Sequence, residues 1–285
     1  MLVSYTRHPP FTSDALKVCI MRVHSLFLYP VKSLAGVEVS VIDLDDFGPV
    51  GDRRWMLVND QGEFVTQRKL PALARIGTGI DERGVSVHIP GEGRFHLAPG
   101  HEELSVLVWR DWMNSLIGPK QASAAVSRFC ERSLRFVYMP DDTFRRVDPA
   151  RVVDQKRVGF ADGFPFLFAN QASLDELNSR LKHPVNMRHF RPNIVISGAE
   201  PWSEDHWQYL TIGQARFKAV KPCSRCVITT MDPDTGTKDP GTEPLRTLST
   251  YRKTQDGVIF GQNAVHQDGD HLSVGDAVII CPQES

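Results

Sequence analysis

The sequence predicts a mostly β protein with minor α, and three observations support this fold class. From residue 23 to about residue 108, short runs rich in β-branched and aromatic residues alternate with Gly, Asp, Asn and Pro. Runs of the same kind return in the second half of the chain, and helical periodicity is clear in two stretches. This alternation is typical of a largely antiparallel sandwich or barrel.

The predicted strands fall into two groups. The first group consists of VHSLFLYPV, VEVSVIDL, RRWMLV, EFVTQR, VSVHI, RFHLA and LSVLVW. The second group consists of PNIVIS, YLTI, ARFKAV, CVITTM, GVIFGQ and AVIICP. Each run is short and is bounded by turn-forming residues, as expected for strands of a compact β domain.

Two helices are predicted. An apolar stripe at helical spacing predicts the first over residues 121–134, with core-facing Ala122, Ala125, Val126, Phe129 and Cys130. The second follows a predicted capping box of Ser173 and Glu176, and its apolar face consists of Leu174, Leu177 and Leu181. Cys130 is therefore predicted to be a core residue.

The chain is predicted to divide into an N-terminal extension (1–21), a first β region (22–139) and a second β domain (140–283). Polar, Pro-containing sequence precedes the first regular strand, which defines the extension. The boundary near residue 140 is placed at the mixed-charge stretch PDDTFRRVDPARVVDQKR, because Pro and Asp are frequent in linkers and loops.

Charge and composition limit the possible partners and compartments. A formal net charge of −1 gives no general attraction to nucleic acid or to an anionic membrane, so neither partner is expected. No run approaches the roughly 18 apolar residues of a membrane span, and no secretory h-region is present. We therefore expect a cytoplasmic protein with reduced thiols, since its five cysteines do not form a disulfide framework.

The segment Lys221-Pro222-Cys223-Ser224-Arg225-Cys226 contains a Cys-x-x-Cys motif with four possible roles. A structural zinc site needs two further ligands, and a redox dithiol normally begins a helix, whereas Val-Ile-Thr-Thr follows here. Two inert buried cysteines are a third possibility. The fourth is a single thiolate ligand for a soft metal, favoured by the neighbouring Arg225 and Lys221. The motif alone leaves all four open.

Further cations stand beside predicted strand ends in three other segments. These are residues 186–193 (NMRHFRPN), the stretch YPVKS at 29–33 and the stretch GDRRW at 51–55. Arginines and amides in such positions can bind a phosphate or a heterocycle edge through forked hydrogen bonds. Ordinary solvated strand ends are the alternative for each segment.

Taken together, these segments resemble MOSC-domain proteins of the YcbX and mitochondrial amidoxime-reducing type. The matching stretches, in order, are YPVKSLAGVEV, GDRRWMLV, FVTQRKLPALA, FADGFPFLFANQASLDELNSRL, FRPNIVISG, KPCSRCVITTMDPDTG, PLRTLSTYR and IFGQN. The resemblance implies a MOSC-type β-barrel preceded by a MOSC N-terminal β-barrel region, with a bound molybdenum–molybdopterin cofactor.

The resemblance also implies roles for individual residues. Cys226 would ligate molybdenum and act as the catalytic ligand, and Cys223 would be structural. The cofactor-binding residues implied are Lys32, Ser33, Arg53, Asp162, Arg191, Asn193, Ser224, Arg225 and Asn263. Two positions depart from the family pattern: Asp-Gly-Phe-Pro replaces Asp-Thr-Ser-Pro at 162–165, which removes two hydroxyl groups, and Asn263 replaces a tyrosine.

The function implied is an oxidoreductase that removes oxygen from small N-hydroxylated substrates such as hydroxylamines, amidoximes and N-hydroxylated bases. A separate flavin or iron–sulfur protein would donate the electrons, because the chain has no Cys-x₄-Cys-x₂-Cys run. The family further carries labels for pyridoxal phosphate binding and detoxification. Two alternatives remain: a non-catalytic carrier of cofactor or sulfur, and a zinc-stabilised β module.

Overall fold

The fold is mostly β with three α-helices in residues 20–281, which are the residues that this computed structural model describes. The predicted fold class is therefore confirmed. Residues 1–19, and with them nearly all of the predicted extension, lie outside the described part. Within residues 20–281, no helix combines the length and apolarity needed to cross a bilayer.

The first half of the chain holds eleven strands and one α-helix. The strands are β1 (Arg22–Leu28), β2 (Val37–Val39), β3 (Val41–Asp45), β4 (Gly48–Pro49), β5 (Trp55–Val58), β6 (Gly77–Asp81), β7 (Gly84–Ile89), β8 (Gly93–Leu97), β9 (Glu103–Val108), β10 (Asp111–Ile117) and β11 (Arg135–Tyr138), and the helix is α1 (Lys120–Cys130).

The second half holds the remaining strands and helices. The strands are β12 (Phe166–Asn170), β13 (Ile194–Ser197), β14 (Tyr209–Ile212), β15 (Ala215–Ser224), β16 (Lys253–Thr254), β17 (Gly257–Asp268), β18 (His271–Ser273) and β19 (Val278–Cys281). The α-helices are α2 (Gln171–Arg180) and α3 (Leu245–Ser249). Short 3₁₀ helices occupy Met187–His189, Ser203–His206 and Val227–Thr230, and a further one, Pro71–Arg75, lies in the first half between β5 and β6.

A nine-stranded sheet forms the centre of the molecule, in the order β19-β14-β15-β17-β12-β13-β1-β2, with β16 paired to β17. Smaller sheets have the orders β5-β11-β10-β9, β18-β3-β4 and β6-β7-β8. Strands from both sides of residue 140 share the large sheet, because β1 pairs antiparallel with β13. The domain boundaries suggested by the sequence therefore remain predictions.

Strand direction brings three chain segments to the same end of the large sheet. β1 runs antiparallel to β13, and β12 runs parallel to β13. The segment that follows β1 therefore lies beside the segments that precede β13 and β12. Lys32 and Ser33 belong to the first segment, Arg191 and Asn193 to the second, and Asp162 to the third.

The helix predicted over residues 121–134 is confirmed as α1, although it ends earlier. Ala122, Ala125, Val126 and Cys130 are buried, in a cluster that includes Trp55. Cys130 is thus a core residue, as predicted. The helix ends at Cys130 because the next residue, Glu131, adopts the left-handed conformation with φ 51°.

The capping box predicted for the second helix is wrong. Asn170 caps α2, and its side chain accepts a hydrogen bond from the Ala172 backbone N–H. Ser173 is buried inside the helix and donates to Glu204 at 2.8 Å, while Glu176 pairs with Arg180. Asparagine is among the strongest N-cap residues, and β12 ends at Asn170, so the helix begins three residues earlier than the capping box predicts.

Two predicted strands are also wrong. CVITTM forms the 3₁₀ helix Val227–Thr230, because the backbone N–H and the hydroxyl of Thr229 both donate to the Cys226 carbonyl, at 3.1 and 2.9 Å. EFVTQR makes only isolated bridges, from Phe64 to Val58 and from Glu63 to Leu107, before the chain turns at the Thr66 carbonyl. In the first segment the hydrogen bonds of Thr229 override the β propensity. In the second segment the Thr66 backbone carbonyl accepts from the backbone N–H groups of Lys69 and Leu70, which turns the chain.

Candidate functional site

An open cavity of about 930 Å³, which is continuous with solvent, is lined by all the residues that the sequence predicts for metal and cofactor binding. They are Lys32, Ser33, Arg53, Asp162, Arg191, Asn193, Ser224, Arg225, Cys226 and Asn263. The cavity is also lined by residues that were not predicted to bind the metal or the cofactor, among them Thr66, Arg68, Phe164, His189, Phe190 and Thr229.

Cys226 is a half-buried free thiol on the cavity wall, two residues after the end of β15. Its backbone is fixed because its carbonyl caps the 3₁₀ helix that follows, through Thr229. Arg68 donates a hydrogen bond from Nη2 to Sγ at 3.4 Å. A guanidinium in this position stabilises a thiolate, the form of cysteine that binds metals.

Arg68 is the main site residue that sequence reasoning missed. It lies 158 positions from Cys226 in the chain, so no local spacing could reveal the contact. The stretch FVTQRKLPALA that supports the family resemblance contains Arg68, but nothing in the stretch distinguishes it from the neighbouring Lys69. Arg225, the sequence neighbour that was expected to assist the Cys226 thiol, donates its hydrogen bonds to backbone carbonyls instead.

Asp162 links Arg68 to the buried Lys32. The Lys32 ammonium donates to Asp162 Oδ1 at 2.5 Å and to the Phe160 carbonyl at 2.8 Å, and Arg68 Nη2 lies 3.4 Å from Asp162 Oδ2. Burial raises the pKa of Asp162, but the charges of Lys32 and Arg68 outweigh this and hold the pKa well below its usual range. Burial lowers the pKa of Lys32. Asp162 is therefore a carboxylate, and it is accessible from the cavity.

Three predicted residues on the cavity wall hold unusual backbone conformations. Ser33, Arg53 and Arg191 have φ values of 66°, 47° and 54°, in the left-handed region that favours glycine. Such conformations cost about 1–3 kcal/mol each and persist where the surrounding structure enforces them, which is common at functional sites. The arrangement of this wall is thus maintained against a local energetic cost.

Arg53 and Arg191 form a basic layer around the ring of Tyr29. Their guanidinium carbons lie 4.4 and 4.2 Å from the ring centroid. Burial raises the pKa of Tyr29 to about 12 and lowers the pKa of Arg191 to about 10. Arg53 pairs with the buried Asp52 and also donates to the Asn193 side-chain oxygen at 3.1 Å. The two guanidinium groups outnumber the one buried carboxylate, so the region has a net positive charge that suits an anion.

The other predicted residues mainly hold the backbone of the site. Asn193 is buried and donates to the Phe27 carbonyl at 3.2 Å. Arg225 donates to the carbonyls of Phe260 and Phe190 at 2.5–2.9 Å, so it ties β17 to the loop before β13. Ser224 likewise donates to the Asp256 carbonyl at 2.6 Å, and Asn263 donates to the carbonyls of Lys221 and Pro222 at 3.4 Å.

Cys223, expected to be structural, also lines the cavity. It is half-buried and free, and it forms no disulfide with Cys226. Its Sγ makes only a long contact of 3.9 Å with the Ser224 carbonyl among its described polar contacts. The two thiols therefore share one cavity, although the cation Arg68 contacts Cys226.

The donor set agrees with a metal that brings most of its own ligands. Among residues 20–281, no group of three or more His, Cys, Asp or Glu side chains could hold a metal ion. A structural zinc site needs four protein ligands, so the zinc-stabilised module lacks its site in the described residues. A pterin dithiolene needs only one thiolate from the protein, and the basic layer suits its phosphate.

Comparisons with known proteins identify two domain families. Residues 20–133 match the MOSC N-terminal beta barrel domain, and residues 155–279 match the MOSC domain. Mitochondrial amidoxime-reducing component 1 of Homo sapiens is 32% identical over 99% of this chain and 89% of its own length. Mitochondrial amidoxime reducing component 2 of Rattus norvegicus is 33% identical over 90% of this chain and 82% of its length.

A second kind of relative covers much less of its own length. Molybdenum cofactor sulfurase of Oryza sativa subsp. japonica is 32% identical over 87% of this chain, but the match spans only 33% of the sulfurase. The chain therefore resembles one part of that larger protein and nearly the whole of the amidoxime-reducing components.

The expectation of a cytoplasmic protein is wrong, because the relatives that match almost the whole chain are mitochondrial proteins by name. The expectation depended on the missing secretory h-region. Mitochondrial transit peptides are amphipathic rather than continuously apolar, so the absence of that region does not separate cytoplasm from mitochondrion.

Proposed function

This chain belongs to the MOSC-domain family that includes the mitochondrial amidoxime-reducing components, and we propose that it is a molybdenum-dependent reductase of N-hydroxylated compounds. Its relatives make it a molybdenum-cofactor-related protein. The observation that carries the finer proposal is the free Cys226 thiol on the cavity wall, hydrogen-bonded to Arg68.

Different residues of the cavity would bind different parts of the cofactor. Cys226 would supply the protein's thiolate ligand, and Arg68 would donate a charged hydrogen bond to its sulfur. The basic layer of Arg53 and Arg191 would bind the anionic phosphate end. Asn193 would hold this layer in place, because its side-chain oxygen accepts a hydrogen bond from Arg53.

The cofactor, when bound, supplies the two-electron chemistry that removes oxygen from the N–OH group. The chain's own contribution is to position the substrate. The Asp162 carboxylate is open to the cavity, and it can accept a hydrogen bond from the substrate hydroxyl. Because Lys32 and Arg68 hold Asp162 ionised, this acceptor is available over the physiological pH range.

The electrons for each turnover have to come from a donor. We keep a separate flavin or iron–sulfur protein as the proposed partner.

A carrier of cofactor or sulfur is the second candidate, and the match to a molybdenum cofactor sulfurase favours it. Retention of the metal separates the two functions. A reductase keeps molybdenum through purification and dialysis, whereas a carrier releases its cofactor to an acceptor apoenzyme.

The direct test is turnover of benzamidoxime and of hydroxylamine by protein produced in a molybdopterin-competent host. Anaerobic oxidation of a reduced viologen dye reports the reaction. We expect turnover by the wild type and none by Cys226→Ser, because serine offers no thiolate. Cys281→Ser, the same change on β19 away from the cavity lining, serves as the control and should retain full activity.

Two results would count against this proposal. Molybdenum-loaded wild-type protein that reduces neither substrate is not a reductase of this class. Turnover that survives in Cys226→Ser would show that the reaction does not depend on the proposed ligand.

A further inference from the structure

The hairpin between β9 and β10 presents an unusual residue at its turn. Trp109 is the first of the two residues between Val108 and Asp111, which pair with each other. Its φ is 57°, in the left-handed region, and two-residue turns normally place glycine, Asn or Asp at such a position. Trp109 is nevertheless 43% exposed. A bulky residue with positive φ and a partly exposed ring indicates a functional constraint rather than a need of the turn.

This turn is fixed to the wall of the cavity. Asp111 accepts a hydrogen bond from Arg145 Nε at 2.9 Å. The buried Arg145 side chain also donates to the carbonyls of Gly159 and Ala161, at 2.8 and 2.6 Å. Ala161 directly precedes Asp162 on the cavity lining. One arginine therefore sets the position of the turn relative to Asp162.

The indole ring of Trp109 lies next to the cations of the site. The Arg68 guanidinium carbon is 5.0 Å from the ring centroid, and Lys32 Nζ is 5.9 Å away. Phe64 packs against the same indole, with 5.0 Å between ring centroids. Arg68 in turn donates to Cys226 Sγ. A single guanidinium thus separates an exposed aromatic surface from the proposed metal ligand.

We propose that Trp109 is a specificity-determining residue that stacks on the aromatic ring of N-hydroxylated substrates while their N–OH group reaches the Cys226 end of the cavity. The inference rests on the proposed reductase function and adds a residue that selects among its substrates, in favour of those whose N–OH group is attached to a flat ring. Aromatic surfaces attract one another in offset or edge-to-face arrangements, and the free part of the indole offers such a surface.

The test compares benzamidoxime with acetamidoxime, which carries the same reacting group on a methyl group. Three variants of the molybdenum-loaded protein are measured: Trp109→Leu, Trp109→Phe and Trp112→Leu. Leucine keeps an apolar side chain without a ring, and phenylalanine keeps a ring. Trp112 is a 60% exposed tryptophan on the same hairpin and provides the matched control.

In Trp109→Leu we expect kcat/KM for benzamidoxime to fall about 3- to 10-fold, mainly through KM, with acetamidoxime little changed. Trp109→Phe should retain most of the preference for benzamidoxime, and Trp112→Leu should retain all of it. Calorimetry with benzamidine, the flat reduced product, provides a binding measurement that does not depend on turnover, and Trp109→Leu should weaken that binding by a similar factor.

The outcomes separate this inference from the proposed function. If Trp109→Leu reduces both amidoximes with the wild-type preference, the inference is wrong and the reductase function stands. If the wild type reduces neither, the reductase function fails and benzamidine binding decides: equal affinity of wild type and Trp109→Leu overturns the role of Trp109. A parallel loss in Trp112→Leu would also overturn it, since the effect would then belong to the hairpin as a whole.

Discussion

Replacing Arg68 with methionine should loosen molybdenum retention about tenfold while leaving the fold intact. Methionine keeps a flexible stem of similar length but removes the guanidinium. Arg68 makes the hydrogen bond to Cys226 Sγ at 3.4 Å and the contact with Asp162 at 3.4 Å. Although burial lowers the pKa of Arg68, its negative neighbours Cys226 and Asp162 raise it overall, so the guanidinium is charged.

The size of the effect follows from these contacts. Residues that hydrogen-bond to a metal ligand typically contribute about 10- to 100-fold to metal affinity. The Arg68 side chain is 27% exposed and the Asp162 side chain 60% exposed, so solvent screens the ion pair and it contributes little. The hydrogen bond to sulfur is also long. Both features place Arg68 at the lower end of the range.

Dialysis against a molybdate-free buffer, followed by elemental analysis at successive times, measures the loss. Arg128→Met provides the matched control, because Arg128 lies on α1 and forms a surface ion pair with Glu92. We expect Arg128→Met to retain molybdenum as the wild type does. Equal retention by Arg68→Met and Arg128→Met would refute the role of Arg68 beside the thiol.

Three further predictions concern stability. Asp162→Asn should be less stable than the wild type at pH 7, and the difference should shrink below pH about 4, because a carboxylate with a depressed pKa stabilises the fold only while ionised; urea titrations at pH 7 and 3 test this. Gly261→Ala should destabilise by at least about 1–2 kcal/mol, since Gly261 has φ +77° and a Cβ would meet the Phe168 carbonyl at 2.4 Å, whereas Gly77→Ala should have little effect in the same titration. Phe168→Ala should cost about 3–5 kcal/mol of unfolding free energy, because its ring is fully buried; an unchanged urea midpoint would contradict that core assignment.

Fold class and the position of α1 could be predicted because they depend on local patterns. Apolar residues at helical spacing identified the stripe of α1, including the buried Cys130. Runs of β-branched residues identified most strands. The same rule failed for Val227–Thr230, where hydroxyl and backbone hydrogen bonds to preceding carbonyls form a 3₁₀ turn instead. Propensity alone does not report such bonds.

The residues of the candidate site could be identified through the family resemblance, and the structure brings them to one cavity. Their individual contacts could not be read from the sequence. Arg225 is adjacent to Cys226 in the chain, yet its guanidinium binds backbone carbonyls of Phe260 and Phe190. Arg68, distant in the chain, contacts the sulfur. Proximity along the chain is a poor guide where strands from both halves share a sheet.

The position of Trp109 could not be predicted from the sequence either. In the sequence it is the last residue of the predicted strand LSVLVW, and nothing there indicates a turn. The pairing of β9 with β10 makes it the first turn residue and places it beside Arg68. The cations Arg53 and Arg191 likewise meet through distant parts of the chain, because β13 runs antiparallel to β1 and the Arg53 backbone N–H donates to the carbonyl of Tyr29, just after β1.

The most direct test of the account is the molybdenum content of Cys226→Ala, purified beside the wild type and Cys223→Ala from a molybdopterin-competent host. Elemental analysis should find stoichiometric molybdenum in the wild type, none in Cys226→Ala, and most of it retained in Cys223→Ala, with unchanged circular dichroism spectra. Full molybdenum occupancy in Cys226→Ala would contradict the assignment of this sulfur as the metal ligand, and with it the proposed function of the cavity.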